Sequence, residues 1–197
     1  EKFLAWSPEL FFPGFLVFAT IFILKKDYFN TPTTSFYWNL ALGVFTFRVF
    51  YAFTATVTQY YVWSNHRISS YLLPPFQDVS YFINYTWLRM WLEICLLALL
   101  AFLFFSFLKL LKNYKERFFT AGEEELGLLL GLIVGWPDFL VFIGLGLLLV
   151  VLVSLLRKVF FEKKYTKLTP PLLVSAWIVL ITGSWWVKAL HLSVLQL

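Results

Sequence analysis

The sequence predicts an all-α fold: a polytopic membrane helix bundle of about six transmembrane helices, forming a single domain over residues 1–197. Three observations carry this expectation. The chain is 60% hydrophobic and only 14% charged, with a mean hydropathy of +0.77, whereas a soluble domain is nearer half apolar and a quarter charged. Its apolar residues fall in blocks long enough to cross a hydrocarbon core of about 30 Å. Its basic residues gather in three clusters that a six-span count puts on one side of the membrane.

The blocks follow in order. The first covers 10–24; with no basic n-region and cleavage site before it, it reads as a span rather than a signal peptide. The second covers 36–60 and the third 87–111. The fourth, 123–136, is short and joined by Trp136-Pro137-Asp138 to the fifth, 139–156. The last covers 171–187. None alternates with period two, which argues against a spanning β-barrel. Residues 61–80, containing Tyr71-Leu72-Leu73-Pro74-Pro75-Phe76, read as an external loop, re-entrant or lying on the membrane surface. Nine Trp, ten Tyr and 24 Phe suit interfacial belts and tight helix packing.

Orientation follows from charge. Lys25 and Lys26 follow span one; Lys109, Lys112, Lys115 and Arg117 follow span three; Arg157, Lys158, Lys163, Lys164 and Lys167 follow span five. Six spans put all three clusters on the cytoplasmic side and both termini on the non-cytoplasmic side. The opposite loops carry only Arg67. The net charge of +5 is thus a topology signal, matched by a lipid bilayer with anionic head groups and not by nucleic acid.

Charged residues inside such a chain are the candidate sites, because they are costly in a bilayer. Glu123, Glu124 and Glu125 head an otherwise Leu/Gly/Ile/Val run. Acids in a first helical turn complement the macrodipole, and Gly122 permits the turn. A catalytic role needs at least one carboxylate facing the bundle interior, and at helical spacing at most one or two can do so. Arg48 lies midway along span two, while Arg89 and Glu93 sit on span three with i,i+4 spacing. Because the two spans are antiparallel, Arg48 and Glu93 reach a similar depth. An intramembrane ion pair among Arg48, Arg89 and Glu93 is the expectation, with a substrate or ion pathway as the rival.

Gly127, Gly131 and Gly135 recur every four residues, a spacing that lets membrane helices approach closely. They are a packing signal and not a phosphate loop. Cys95 excludes an internal disulfide and a Cys-based zinc site, and reads as a helix-packing residue. His66 and His191 have no partners at metal-ligand spacing, so no metal and no cofactor is expected.

The stretch from Leu111 to Gly183 resembles the prepilin (type IV leader) peptidases. In that family a basic loop leads to a glycine–any–glycine–aspartate motif opening a helix, then Leu/Ala/Gly-rich sequence ending in Gly-Trp. Here Gly122-Glu123 is followed by Leu126-Gly127-Leu128-Leu129-Leu130-Gly131 and closes with Gly135-Trp136. Thr169-Pro170-Pro171-Leu172-Leu173 stands where the family has a Phe-Gly-Pro-Phe-like sequence, and Ala176-Trp177 follows. Upstream, Thr31-Pro32 and Ala41-Leu42-Gly43 fit the family's frame. The match covers about two thirds of the chain.

The resemblance implies a membrane aspartic-type endopeptidase of the prokaryotic inner membrane, working on prepilin leaders at the cytoplasmic side. Two aspartates activate water in such enzymes, one as general base and one as general acid. This chain departs from them at both positions. Glu123 stands at the second aspartate and Lys25 at the first, with Asp27 close by; Thr120 replaces the first motif glycine. A lysine cannot share a proton with Glu123, although it can ion-pair with it. A glutamate also moves the carboxylate by a methylene, and displacement of about 1 Å can cost about 100-fold in rate. The expectation is a peptidase-like membrane protein with lost or weakened activity that binds prepilin-like helices or scaffolds a pilus or secretion assembly. Two alternatives stand beside it: an active peptidase using Asp27 with Glu123, and a small transporter or lipid-handling protein using Arg48, Arg89 and Glu93.

Overall fold

The structure is a computed structural model that describes residues 11–21, 33–114, 122–161 and 168–191. Among these residues it is all-helical. We number the helices α1 (Phe11–Ile21), α2 (Thr33–Asn65), α3 (Val79–Tyr114), α4 (Glu123–Val134), α5 (Asp138–Phe161) and α6 (Thr169–Ala189). A short 3-10 turn, Ser69–Leu72, lies in the loop between α2 and α3.

Four of the helices are long and apolar enough to cross a membrane: Ser35–Asn65 within α2, Val79–Tyr114, Asp138–Arg157 within α5, and Thr169–Ala189. The molecule is therefore a helical membrane bundle, as its composition predicts. Among the helices with described ends, α4 is the short one. The 12 residues of α4 extend only about 18 Å, well under the hydrocarbon thickness.

The reason α4 need not span is its position. It packs against α2, α3, α5 and α6, and every one of its residues except Glu125 is buried. It is the axis of the bundle rather than part of its wall. Leu126, Leu129, Leu130 and Ile133 are fully enclosed, together with Phe139 and Phe142 of α5. Glycines bring the neighbours in. A Cβ on Gly127 would lie 2.5 Å from the Leu108 side chain of α3, and one on Gly131 2.5 Å from the Phe139 ring. Gly127 and Gly131 thus face different partners rather than one shared helix face.

The outer walls are apolar and open to lipid: Phe50, Phe53 and Val57 on α2, Leu99 and Phe102 on α3, and Val151 and Leu155 on α5. Cys95 is exposed too, so it is not the packing residue expected from the sequence. The α2–α3 hairpin is the longest part of the molecule. The 33 residues of α2 measure about 50 Å, some 20 Å more than the hydrocarbon core. Its far end is closed by a separate cluster of Trp63, Leu73 and Phe82, with Trp63 and Phe82 edge to face at 5.5 Å. Here α3 starts eight residues ahead of the expected boundary at Trp87. It runs on through a π-helical turn, Trp87–Trp91, in which the Leu92 amide bonds back to the Trp87 carbonyl.

Candidate functional site

Among the described residues, a cluster of charged side chains stands at each end of α4. The first is the acidic head. Gly122, at φ 92°, turns the chain into the helix, and its carbonyl accepts the Leu126 amide at 3.0 Å. Glu123 and Glu124 are then carried into the interior, only 2% and 6% exposed. Glu125 is half-buried on the side of α3.

Glu123 is tied to α6. Its Oε1 accepts hydrogen bonds from the Leu168 amide at 2.9 Å, the Thr169 amide at 3.1 Å and the Thr169 hydroxyl at 3.0 Å. The sequence of α6 explains why. A helix start leaves its first amides without intrahelical partners. Pro170 and Pro171 carry no N–H, so Leu168 and Thr169 hold the donors that remain there, and Leu172 already bonds to the Leu168 carbonyl. The cap comes from another helix, 45 residues upstream, because neither Leu168 nor its neighbours supply a capping side chain. The sequence suggested that these acids serve their own helix; Glu123 instead serves α6. Tyr37 of α2 lies within electrostatic reach of the same carboxylate.

Glu124 turns to α3, where its Oε1 forms an ion pair with Lys112 Nζ. Its Oε2, and that of Glu125, are buried without a hydrogen-bond partner among the described residues. Lys112 was legible in the sequence only as a topology charge. Lys25 and Asp27, the two residues that decide between pseudoenzyme and enzyme, lie outside the described residues.

The second group sits at the other end of α4. Arg48 of α2 donates from Nε to the Leu132 carbonyl at 2.8 Å and from Nη2 to the Ile133 carbonyl at 3.2 Å. These carbonyls belong to the last turn of α4, where acceptors go unpaired and a cation is favoured. The guanidinium also lies 4.1 Å over the Phe12 ring of α1. Gly135 is required beside it. Its φ of 85° and ψ of 169° are open to glycine alone, and a Cβ there would stand 2.6 Å from Arg48 Nη2.

Arg48, Arg89 and Glu93 form no ion pair among the described residues. Among the described residues Arg48 and Glu93 form no contact within 4 Å, because Arg48 is spent on the carbonyls of α4. The two remain within electrostatic reach. Nor do Arg89 and Glu93 pair, because the π-turn widens the helix between them and breaks the i,i+4 register. Arg89 is exposed, 5.9 Å over the Tyr85 ring. What the structure brings together is a cavity of about 360 Å³ lined by Arg48, Arg89 and Glu93 along with Tyr51, Phe12 and Leu97.

Asp138, which opens α5, packs against Gly183 of α6, and its Oδ1 is buried without a hydrogen-bond partner among the described residues. His66 contacts Ser69 within its own loop at 3.2 Å. No family model, no curated protein and no solved structure matches the chain.

Proposed function

We propose that the chain is a prepilin peptidase-like membrane protein in which peptidase activity is lost or weakened, and which binds prepilin-like apolar helices or scaffolds a pilus or secretion assembly. One observation carries the reading. Glu123, at the position of the family's second aspartate, spends one carboxylate oxygen on three donors of α6. An oxygen so occupied acts as a cap, whereas a general base needs to reach a water. The segments that bear the resemblance also fall at junctions of elements. Gly122-Glu123 opens α4, Gly135-Trp136 closes it, and Thr169-Pro170-Pro171 opens α6, where it meets Glu123. A shared frame put to structural use would leave that arrangement.

The test is leader cleavage by the purified protein in lipid vesicles, with a prepilin-type substrate, alongside crosslinking of the substrate's apolar helix. The expected result is crosslinking without cleavage. Glu123→Gln keeps an acceptor oxygen for the cap but removes acid–base chemistry. Cleavage by the parent chain that disappears in Glu123→Gln would restore the active-peptidase alternative, with Asp27 as the second acid. Absence of both cleavage and crosslinking would end the prepilin reading altogether.

A further inference from the structure

The cavity between α2 and α3 differs in character from the acidic head of α4. It holds two guanidinium groups and one carboxylate, a formal balance of +1, in a molecule whose walls face lipid. Uncompensated charge at such a depth is costly. One of the guanidinium groups is fixed in place: Arg48 is clamped by the Leu132 and Ile133 carbonyls and by the Phe12 ring, while its Nη1 makes no hydrogen bond among the described residues. The other, Arg89, rides on the π-turn, and such turns inside helices recur at functional sites. Besides Tyr51, the rest of the lining is apolar, from Phe12, Ala52, Ile94 and Leu97. At about 360 Å³ the space falls in the range of small-molecule pockets, with room for more than a bare oxyanion.

We propose that this cavity binds a monoanionic oxyacid group, a phosphodiester or a carboxylate, carried on an apolar body. Arg48 and Arg89 hold the oxygens through charge-assisted hydrogen bonds, for which the guanidinium fork is suited. Glu93 sets the cavity at +1 rather than +2, so that one negative charge neutralises it and a dianion does not. The apolar lining receives the body of the ligand. The source is either a lipid head group or a free anion, and the inference stands apart from the reading of Glu123.

The experiment is calorimetric titration of the full chain in detergent micelles with three probes: short-chain phosphatidylglycerol, short-chain phosphatidylcholine, and dimethyl phosphate as a soluble phosphodiester. Arg89→Gln is the main variant, since Arg89 is exposed and holds no helix end. The expected result is binding of phosphatidylglycerol in preference to phosphatidylcholine, weakened about tenfold or more by Arg89→Gln. Glu93→Gln should tighten it, because a repelling charge is removed. The same pattern with dimethyl phosphate at comparable affinity assigns the site to free anions; its confinement to phosphatidylglycerol assigns it to lipid. Equal binding of the two lipids, an Arg89→Gln affinity equal to that of the parent, weakening by Glu93→Gln, or no binding of any probe would overturn the proposal.

Discussion

At the two ends of α4, single side chains from elsewhere in the bundle close backbone that a helix leaves open. Glu123 does so for the donors of α6, and Arg48 for the acceptors of α4. Replacing Glu123 with Ala leaves two amides without their acceptor and should destabilise the protein by about 2–4 kcal/mol. Glu123→Gln should cost about 1 kcal/mol, since an acceptor oxygen stays. Equilibrium unfolding in mixed micelles distinguishes the two, and equal losses would remove the capping role. Gly135→Ala should cost about 3 kcal/mol from backbone strain alone, before the clash with Arg48. Gly144→Ala is the control: a Cβ there meets nothing within 4 Å, so stability should hold or improve slightly. Glu123, Arg48 and Glu93 stood out in the sequence, because charge in an apolar run is rare. Their partners were not. Arg48 bonds to carbonyls, which every residue has, and no residue pattern marks which carbonyls lie at a helix end.

Among the helices, the α3–α4 contact carries a charged pair, Lys112 with Glu124, at the edge of an apolar seam. Lys112→Met strands a buried carboxylate and should cost about 2–3 kcal/mol, reduced from the fully buried case because the lysine is partly exposed. Adding Glu124→Leu to it should recover most of the loss, which thermal denaturation of the single and double variants would show. A double variant no more stable than Lys112→Met would mean that Glu124 has a further role. The existence of α2, α3, α5 and α6 was readable from length and hydropathy. The burial of α4 was not, because, glycines and Ser154 apart, Leu126–Val134 and the lipid-facing Leu147–Leu155 are built from the same aliphatic side chains. In lipid, an apolar side chain is content on either side of a helix, so composition does not say which face packs. The π-turn of α3 was hidden for a related reason: Trp87–Trp91 has no Pro or Gly to announce it, and the turn is fixed by tertiary packing, including the Trp91 indole donating to Thr56 at 3.2 Å.

For the molecule as a whole, the lysine and arginine clusters predict that the α2–α3 loop lies outside the cell membrane and the Glu123 end inside it. In intact cells, a cysteine placed at Ser69 in a Cys95→Ser background should react with a membrane-impermeant maleimide, whereas native Cys95, exposed on a lipid-facing helix, should not. Labelling at Ser69 only after the membrane is broken would reverse the orientation. The bundle class was plain from composition because 60% apolar residues cannot be buried inside a chain of 197. The span count was not, because counting treats each apolar block alike, and α4 differs from the others in length and position rather than in kind.

The shortness of α4 bears on how the protein is made. A segment of about 18 Å offers the insertion machinery too little apolar length to be accepted by itself. It also carries three acids at its leading edge. It must therefore enter the bilayer as a passenger, drawn in by α3 behind it or α5 ahead of it, and its Glu123 has to wait for the amides of α6 to emerge 45 residues later. The Glu123 cap thus closes only after Leu168 and Thr169 have been made, and a nascent chain halted before Leu168 should lack it.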